Sequence, residues 1–309
     1  MKPVRVAIAQ STPAFLDAAG CVEKIARGVG EAAKGGARLV VFGETFIPCY
    51  PLWCDTGAMS RWDHEPTKRA HAALLDQSIE VPSDATRRLG QIAADNGCLV
   101  AVGVNERSGR SLFNALLLFD ERGQLIMHRR KLVPTHGERL VWKPGDAHDL
   151  KPVETSIGRI GGLICWEHWM PLARQVLHDG GEEIHLALWP SVKPIHLTAS
   201  VHHAFEGRCF VLAAGSTLNR SDVPKDFPLR DELGHEETLI AGGSAIIAPN
   251  GEVMAGPASE QETILTAVLD PALIAQESFA LDTAGHCARA DLFRFTVDTR
   301  RIPETPSGG

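Results

Sequence analysis

A carboxylate, an ammonium and a thiol each stand just past an apolar or strand-like run. Glu44 follows Leu39-Val40-Val41-Phe42, Lys131 follows the stretch Gln124–Arg130, and Cys165 follows Ile160–Ile164. In layered α/β folds the ends of strands commonly build the ligand site. If these three converge, they suit nucleophilic catalysis. A base takes the thiol proton, the sulfur attacks, and a fixed cation stabilises the anion that forms. Taken singly, each has an ordinary explanation. Glu44 could be a turn residue, Lys131 one of a solvated basic cluster, and Cys165 a buried apolar cysteine.

The stretch Gly161–Arg174 organises the chain around Cys165. Ile160–Ile164 predicts a short buried strand, and Pro171 suits the first turn of a helix running to about His178. Cys165 is therefore expected at a sharp strand-to-helix junction, with its sulfur exposed. The positive helix end would lower its pKa.

The surrounding elements must hold these positions. Val4–Gln10, Arg38–Phe42, Cys98–Val104, Phe113–Phe119, Gln124–Arg130, Ile184–Trp189, Cys209–Gly215, Ser244–Ala248, Glu252–Ala255 and Thr263–Leu269 read as strands. Ala18–Lys34, the segment from Pro82-Ser83-Asp84 to Asn96-Gly97, Ile195–Gly207 and Pro271–Glu277 read as helices, as does the stretch ending near Gln77. Asp120–Gly123 and Pro249-Asn250-Gly251 are hairpin turns. Lys131–Gly145 and Leu218–His235 read as polar loops. Helices interleaved with strands in both halves, and hairpins between, predict an α/β layered domain with a mixed sheet or sheets.

With the chemistry and the order of elements in view, the chain resembles the nitrilase superfamily of carbon–nitrogen hydrolases from Val4 to about Asp270. The resemblance rests on three motifs in order: Gly43-Glu44-Thr45-Phe46, then Arg130-Lys131-Leu132-Val133-Pro134-Thr135-His136-Gly137-Glu138-Arg139, then Cys165-Trp166-Glu167. Cys-Trp-Glu-His followed by Met-Pro-Leu-Ala-Arg looks like the true nitrilase branch; amidase branches usually carry Tyr after the cysteine. Cys49 departs from the Gly that nitrilases often place before Tyr-Pro.

The resemblance implies a four-layer αββα sandwich, with Glu44 as general base, Lys131 as cationic stabiliser and Cys165 as nucleophile. It implies Glu138 as a further carboxylate near the site. The expected reaction converts a small-molecule nitrile to its carboxylic acid and ammonia through a thioimidate and a thioester, with no metal or organic cofactor. The backbone N–H of Trp166 would assist Lys131. Rival readings are an amide or N-carbamoyl hydrolase on the same scaffold, a cyanide-degrading relative, and an inactive scaffold or binding protein. Tyr50, Trp142, Trp166 and Trp189 are candidate pocket walls, since aromatic surfaces suit an apolar nitrile. The resemblance also implies a two-fold dimer through the helices after the nucleophile, and further association into spirals.

Composition narrows the remaining classes. With 44% hydrophobic residues among 309, the chain can bury a large core. Residues 1–280 are expected to form the hydrolase domain, and 281–309 a tail whose Phe293, Phe295 and Val297 seal an oligomer contact. A net charge of −7 without a basic block argues against nucleic acid and anionic membrane partners. No apolar run is long enough to span a membrane, and the N-terminus lacks a signal-peptide pattern. Seven cysteines at irregular spacing, without a CxxC, suggest a reducing cytoplasm. Cys49 and Cys54 lack the second Cys/His pair a zinc site needs.

Overall fold

The computed structural model describes residues 2–301. The chain begins with strand β1 (Val4–Gln10), helix α1 (Ala18–Lys34) and β2 (Leu39–Val41). Helices α2 (Glu65–Gln77) and α3 (Asp84–Asn96) precede a meander of β3 (Leu99–Ser108), β4 (Ser111–Phe119) and β5 (Leu125–Arg130). The second half runs β6 (Val153–Thr155), β7 (Gly158–Ile164), α4 (Pro171–Asp179), β8 (Ile184–Leu188), α5 (Pro194–Gly207) and β9 (Phe210–Ala214). It continues through β10 (Thr217–Asn219), β11 (Thr238–Ala241), β12 (Ala245–Ile247), β13 (Val253–Ala255), β14 (Thr263–Leu269) and α6 (Ala272–Glu277).

These strands form two six-stranded sheets, ordered β14-β1-β2-β3-β4-β5 and β13-β12-β9-β8-β7-β6, and a small β10-β11 ribbon. Each large sheet has a parallel centre, β1-β2-β3 in one and β7-β8-β9 in the other, with antiparallel edges. The period-2 alternation of side chains explains the layering. Val6 and Ile8 of β1, with Leu39 and Val41 of β2, face Ile160, Ile164, Leu186 and Leu188 of the other sheet. The intervening Ala7, Ala9 and Val40 face outward onto Ile25 and Val29 of α1 and Leu89 and Ile92 of α3. Leu163 of β7 packs beneath Ala173 and Leu177 of α4. The result is the expected αββα sandwich.

Local signals account for the helix ends. Asp17 caps α1 by accepting from Gly20 N, and the Ser83 hydroxyl accepts from Thr86 N at the start of α3. Gly97 closes α3 in the left-handed region, which glycine enters without a Cβ clash. Two parts differ from expectation. Val153–Thr155 forms an edge strand, held by antiparallel pairing to β7. The segment 218–235 is less polar than it reads. Its Leu218, Val223, Phe227 and Leu229 are buried beside Tyr50, Trp53 and Trp142, and Leu218 lies within β10.

Candidate active site

Glu44 and Cys165 leave the carboxyl ends of the parallel strands β2 and β7, and Lys131 directly follows β5. The turn after β2 is held from two sides: Glu44 N donates across the sandwich to Trp189 O at 3.1 Å, and Gly103 N of the neighbouring β3 donates to Gly43 O at 3.2 Å. Gly103 is required there. A Cβ on it would press into the backbone of Gly43, Glu44 and Thr45. The backbone around the site is also held in unfavourable conformations. Thr45, Cys49, His136 and Cys165 all have positive φ (45°, 127°, 44° and 54°), a region that costs a non-glycine residue energy.

Four side chains converge. Lys131 Nζ lies 3.1 Å from Glu44 Oε1 and 2.6 Å from Glu138 Oε2. A carboxylate oxygen of Glu44, one of Glu138 and the Cys165 sulfur all lie within 4.8 Å of one another. The two carboxylates are held differently. Glu138 Oε2 also accepts from Thr135 N at 2.6 Å, and its Oε1 accepts from the Tyr50 hydroxyl at 2.9 Å. Glu44 Oε1 accepts from Asn114 Nδ2 at 2.6 Å, while its Oε2 has no hydrogen-bond partner among the described residues. Glu138 is thus committed to neighbours, and Glu44 keeps one oxygen free.

Burial dominates the electrostatics. It pushes the Glu44 carboxyl up to about 7, with Lys131 opposing and Glu138 reinforcing the shift. Burial acts to lower the Lys131 pKa, but the charges of Glu44, Cys165 and Glu138 hold it above its usual range. The Cys165 thiol is raised well above its ordinary value by burial and then by Glu44. Lys131 and a hydrogen bond from Trp166 N work the other way. The sequence expectation of an exposed sulfur with a lowered pKa is therefore corrected. Cys165 is only 4% exposed. A five-residue 3-10 turn, Cys165–Trp169, separates it from α4, whose N-terminus lies at Pro171. Burial thus favours the protonated sulfur beside the Glu44 carboxyl.

Glu167 fastens this turn. Its Oε1 accepts from Arg129 Nη2 at 2.7 Å and Leu132 N at 2.6 Å, and its Oε2 accepts from Ile164 N at 2.8 Å. Behind the turn lies a buried histidine network. Burial and the nearby His185 and His203 hold the His168 pKa well below its usual value. The neutral ring donates from Nδ1 to Cys165 O at 2.6 Å, and its Nε2 meets His185 Nε2 at 3.0 Å. His185 Nδ1 meets Glu182 Oε2 at 2.9 Å, and His203 Nε2 meets Glu182 Oε1 at 2.6 Å. His178, Glu182 and His203 have donor atoms close enough to share a metal ion; His203 Nε2 bonds to Glu182 Oε1, and His178 Nδ1 lies 3.3 Å from the same oxygen. In the Glu44, Glu138 and Cys165 group, Lys131 supplies the cation.

A cavity of about 440 Å³ opens over Cys165. Tyr50, Glu138 and Trp166 line it, with Leu52, Ile195, Leu239 and Ile240 as apolar wall. Trp142 and Trp189 do not line it, which corrects their expected role. Their indole N–H groups are satisfied in the interior, Trp142 by Asn105 Oδ1 at 2.8 Å and Trp189 by Ser200 Oγ at 3.2 Å. Trp142 packs edge-on behind Tyr50, and Trp189 is fully buried. Sequence reasoning missed Asn114, Ser191, Lys193 and His196. Ser191 and Lys193 follow the end of β8, so the strand-end rule could have found them. Asn114 and His196 carry no local signal.

This sandwich, with its buried carboxylate, ammonium and thiol, belongs to the carbon–nitrogen hydrolase family, whose sequence profile matches residues 5–277. Among curated relatives, the chain is 37% identical to an aliphatic nitrilase of Sinorhizobium fredii, covering 96% of each. It is 35% identical to Nitrilase 3 of Arabidopsis thaliana, covering 96% of this chain and 87% of that protein. A carbon–nitrogen hydrolase from Helicobacter pylori shares the fold with a TM-score of 0.72 at 19% identity, covering 94% of this chain and 97% of that one.

Proposed function

We propose that this protein is a nitrilase, converting an organic nitrile and two waters into a carboxylic acid and ammonia. The observation that carries the reading is the unpartnered Glu44 Oε2 in the cluster that holds the Cys165 thiol. Glu44 takes the thiol proton as sulfur attacks the nitrile carbon, and returns a proton to the nitrile nitrogen to give the thioimidate. A first water, deprotonated by Glu44, adds to that carbon. The C–N bond breaks, ammonia leaves, and a thioester remains. A second water releases the acid and restores the thiol. A carboxyl with a pKa near 7 suits a group that must accept and return protons at neutral pH. Lys131 and Trp166 N–H stabilise the charged intermediates. Such preorganised donors are worth about 3–4 kcal/mol each where measured. Glu138, with its oxygens engaged by Tyr50, Thr135 and Lys131, positions the ammonium.

The test is a nitrile panel with ammonia, acid and amide all quantified, together with rapid acid quench and intact-mass measurement. An acyl adduct on Cys165, lost with turnover in Cys165→Ala, is expected. Wild-type turnover by that variant would refute the assignment.

The reading includes a hydrolase domain over 1–280, a tail from 281, and association of copies through the face around α4 and α5. Trp166, Trp169, Leu172, Ile195 and Phe205 are exposed there, and Phe293 and Phe295 are exposed in the tail, where Val297 is half-buried. Residues 302–309 lie outside the described residues. Light scattering of the full chain and of a chain ending at Ala280 tests this; a fully active monomer would refute it. Six buried and one exposed free cysteines support a reducing cytoplasm. No helix among the described residues is long and apolar enough to cross a membrane.

A further inference from the structure

We infer that His196 reads a hydrogen-bond donor on the substrate, so that the site favours nitriles bearing a hydroxyl within a few bonds of the nitrile carbon. This rests on the nitrilase reading.

The ring is rigidly placed. His196 sits in the first turn of α5 and stacks on Trp189, with centroids 4.3 Å apart and planes 5° from parallel. Its Nδ1 lies 2.6 Å from Ser191 O. Lys193 N also approaches Nδ1, at 3.3 Å, but the much shorter contact is to a carbonyl oxygen, which only accepts, so Nδ1 carries the hydrogen. Burial holds the ring's pKa below its usual value, and the Lys193 charge acts in the same direction. A neutral imidazole with hydrogen on Nδ1 presents a lone pair at Nε2. That atom has no protein partner among the described residues, yet it is not sealed in the interior. The residue is 8% exposed and lines the cavity above Cys165.

The rest of the cavity sharpens the inference. Leu52, Ile195, Leu239 and Ile240 give it an apolar surface. Ser191 Oγ is spent on Gly242 O at 3.2 Å, and Tyr50 donates to Glu138. Asp55, His136 and Lys193 are exposed and so remain hydrated. Nε2 is therefore a buried acceptor with nothing fixed to satisfy it. A substrate that covers it without offering a donor leaves it unpaired, which is the larger penalty. A hydroxyl supplies that donor directly. Recognition of a polar substituent by a site built to bond it discriminates more strongly than apolar fit does.

The experiment compares 2- and 3-hydroxynitriles with analogues carrying methyl in place of hydroxyl. Rates are measured on wild type, His196→Phe and His196→Gln. For at least one pair, wild type should favour the hydroxyl compound by about tenfold in kcat/KM, the value of one buried hydrogen bond. His196→Phe should bring that ratio near one, and His196→Gln, which keeps an acceptor, should retain part of it. Ratios near one for every pair in wild type, or a preference unchanged in both variants, overturn the inference while leaving the nitrilase reading intact. If wild type releases ammonia from no nitrile, both fall together.

Discussion

Arg129 and Glu167 form a buried ion pair, Nη2 to Oε1 at 2.7 Å, that ties the strand leading to Lys131 to the turn that carries Cys165. Neither side chain reaches water, and Arg129 Nε and Nη1 have no other partner among the described residues. Opening the pair would leave a charge uncompensated in the core.

Glu167→Gln should therefore destabilise the fold by about 3–5 kcal/mol, the usual cost of removing one member of a buried pair. Urea denaturation followed by circular dichroism measures it. Under conditions where the variant is folded, kcat should fall more than KM rises, because Ile164 N and Leu132 N lose part of their anchor. A stability loss below about 1 kcal/mol, typical of exposed pairs, would mean that water reaches this site.

The frame of the site was legible because its signals are local. Apolar alternation located β1, short apolar runs located β2 and β7, and strand ends pointed to Glu44 and Cys165. Asp120–Gly123 and Gly97 marked a hairpin and a helix stop that the structure keeps. The protonation state of Cys165 was not legible. It depends on Glu44, Glu138 and Lys131, which are distant in sequence and meet only after both sheets pack. The aromatic residues misled for a related reason. Composition cannot say whether an indole N–H finds an internal acceptor, and Asn105 and Ser200 supply acceptors to Trp142 and Trp189. Asn114 escaped notice because an isolated Asn in a strand says nothing about the carboxylate 70 residues away that it bonds.

That Asn114 contact yields a prediction about pH. Glu44 must be ionised to accept the thiol proton, and burial places its pKa near 7, so activity should rise with pH through that value. Asn114 donates to Glu44 Oε1 and works to lower the pKa. Removing the donor in Asn114→Leu should move the acidic limb of kcat/KM to higher pH by about one unit, since a hydrogen bond to a charged group is worth about 1.5–3 kcal/mol. The loss of rate should then be largest below pH 7 and shrink above it. A lower plateau with an unmoved limb would assign Asn114 a packing role only.

His178 links the buried network to stability. Burial alone would lower its pKa, but hydrogen bonds and attraction to Glu182 and Glu206 raise it to about 9. Its Nδ1 lies 3.3 Å from Glu182 Oε1 and its Nε2 3.3 Å from Glu206 Oε2, so the protonated ring bridges two carboxylates. The folded pKa lies above the ordinary value near 6.5, so the folded state holds the proton more tightly than the unfolded chain does. The contribution is fully present below about pH 6.5 and is lost as pH rises through about 9. Unfolding free energy should fall across that window, with a slope from this group of at most about 1.4 kcal/mol per pH unit. His178→Gln keeps a polar side chain but cannot take the extra proton. It should be clearly less stable than wild type at pH 6, and the gap should narrow by pH 9. Urea denaturation of both proteins at pH 6, 7.5 and 9 supplies the comparison. A gap that stays constant across the three values would show that the ring contributes through packing against Gly207 and not through its charge.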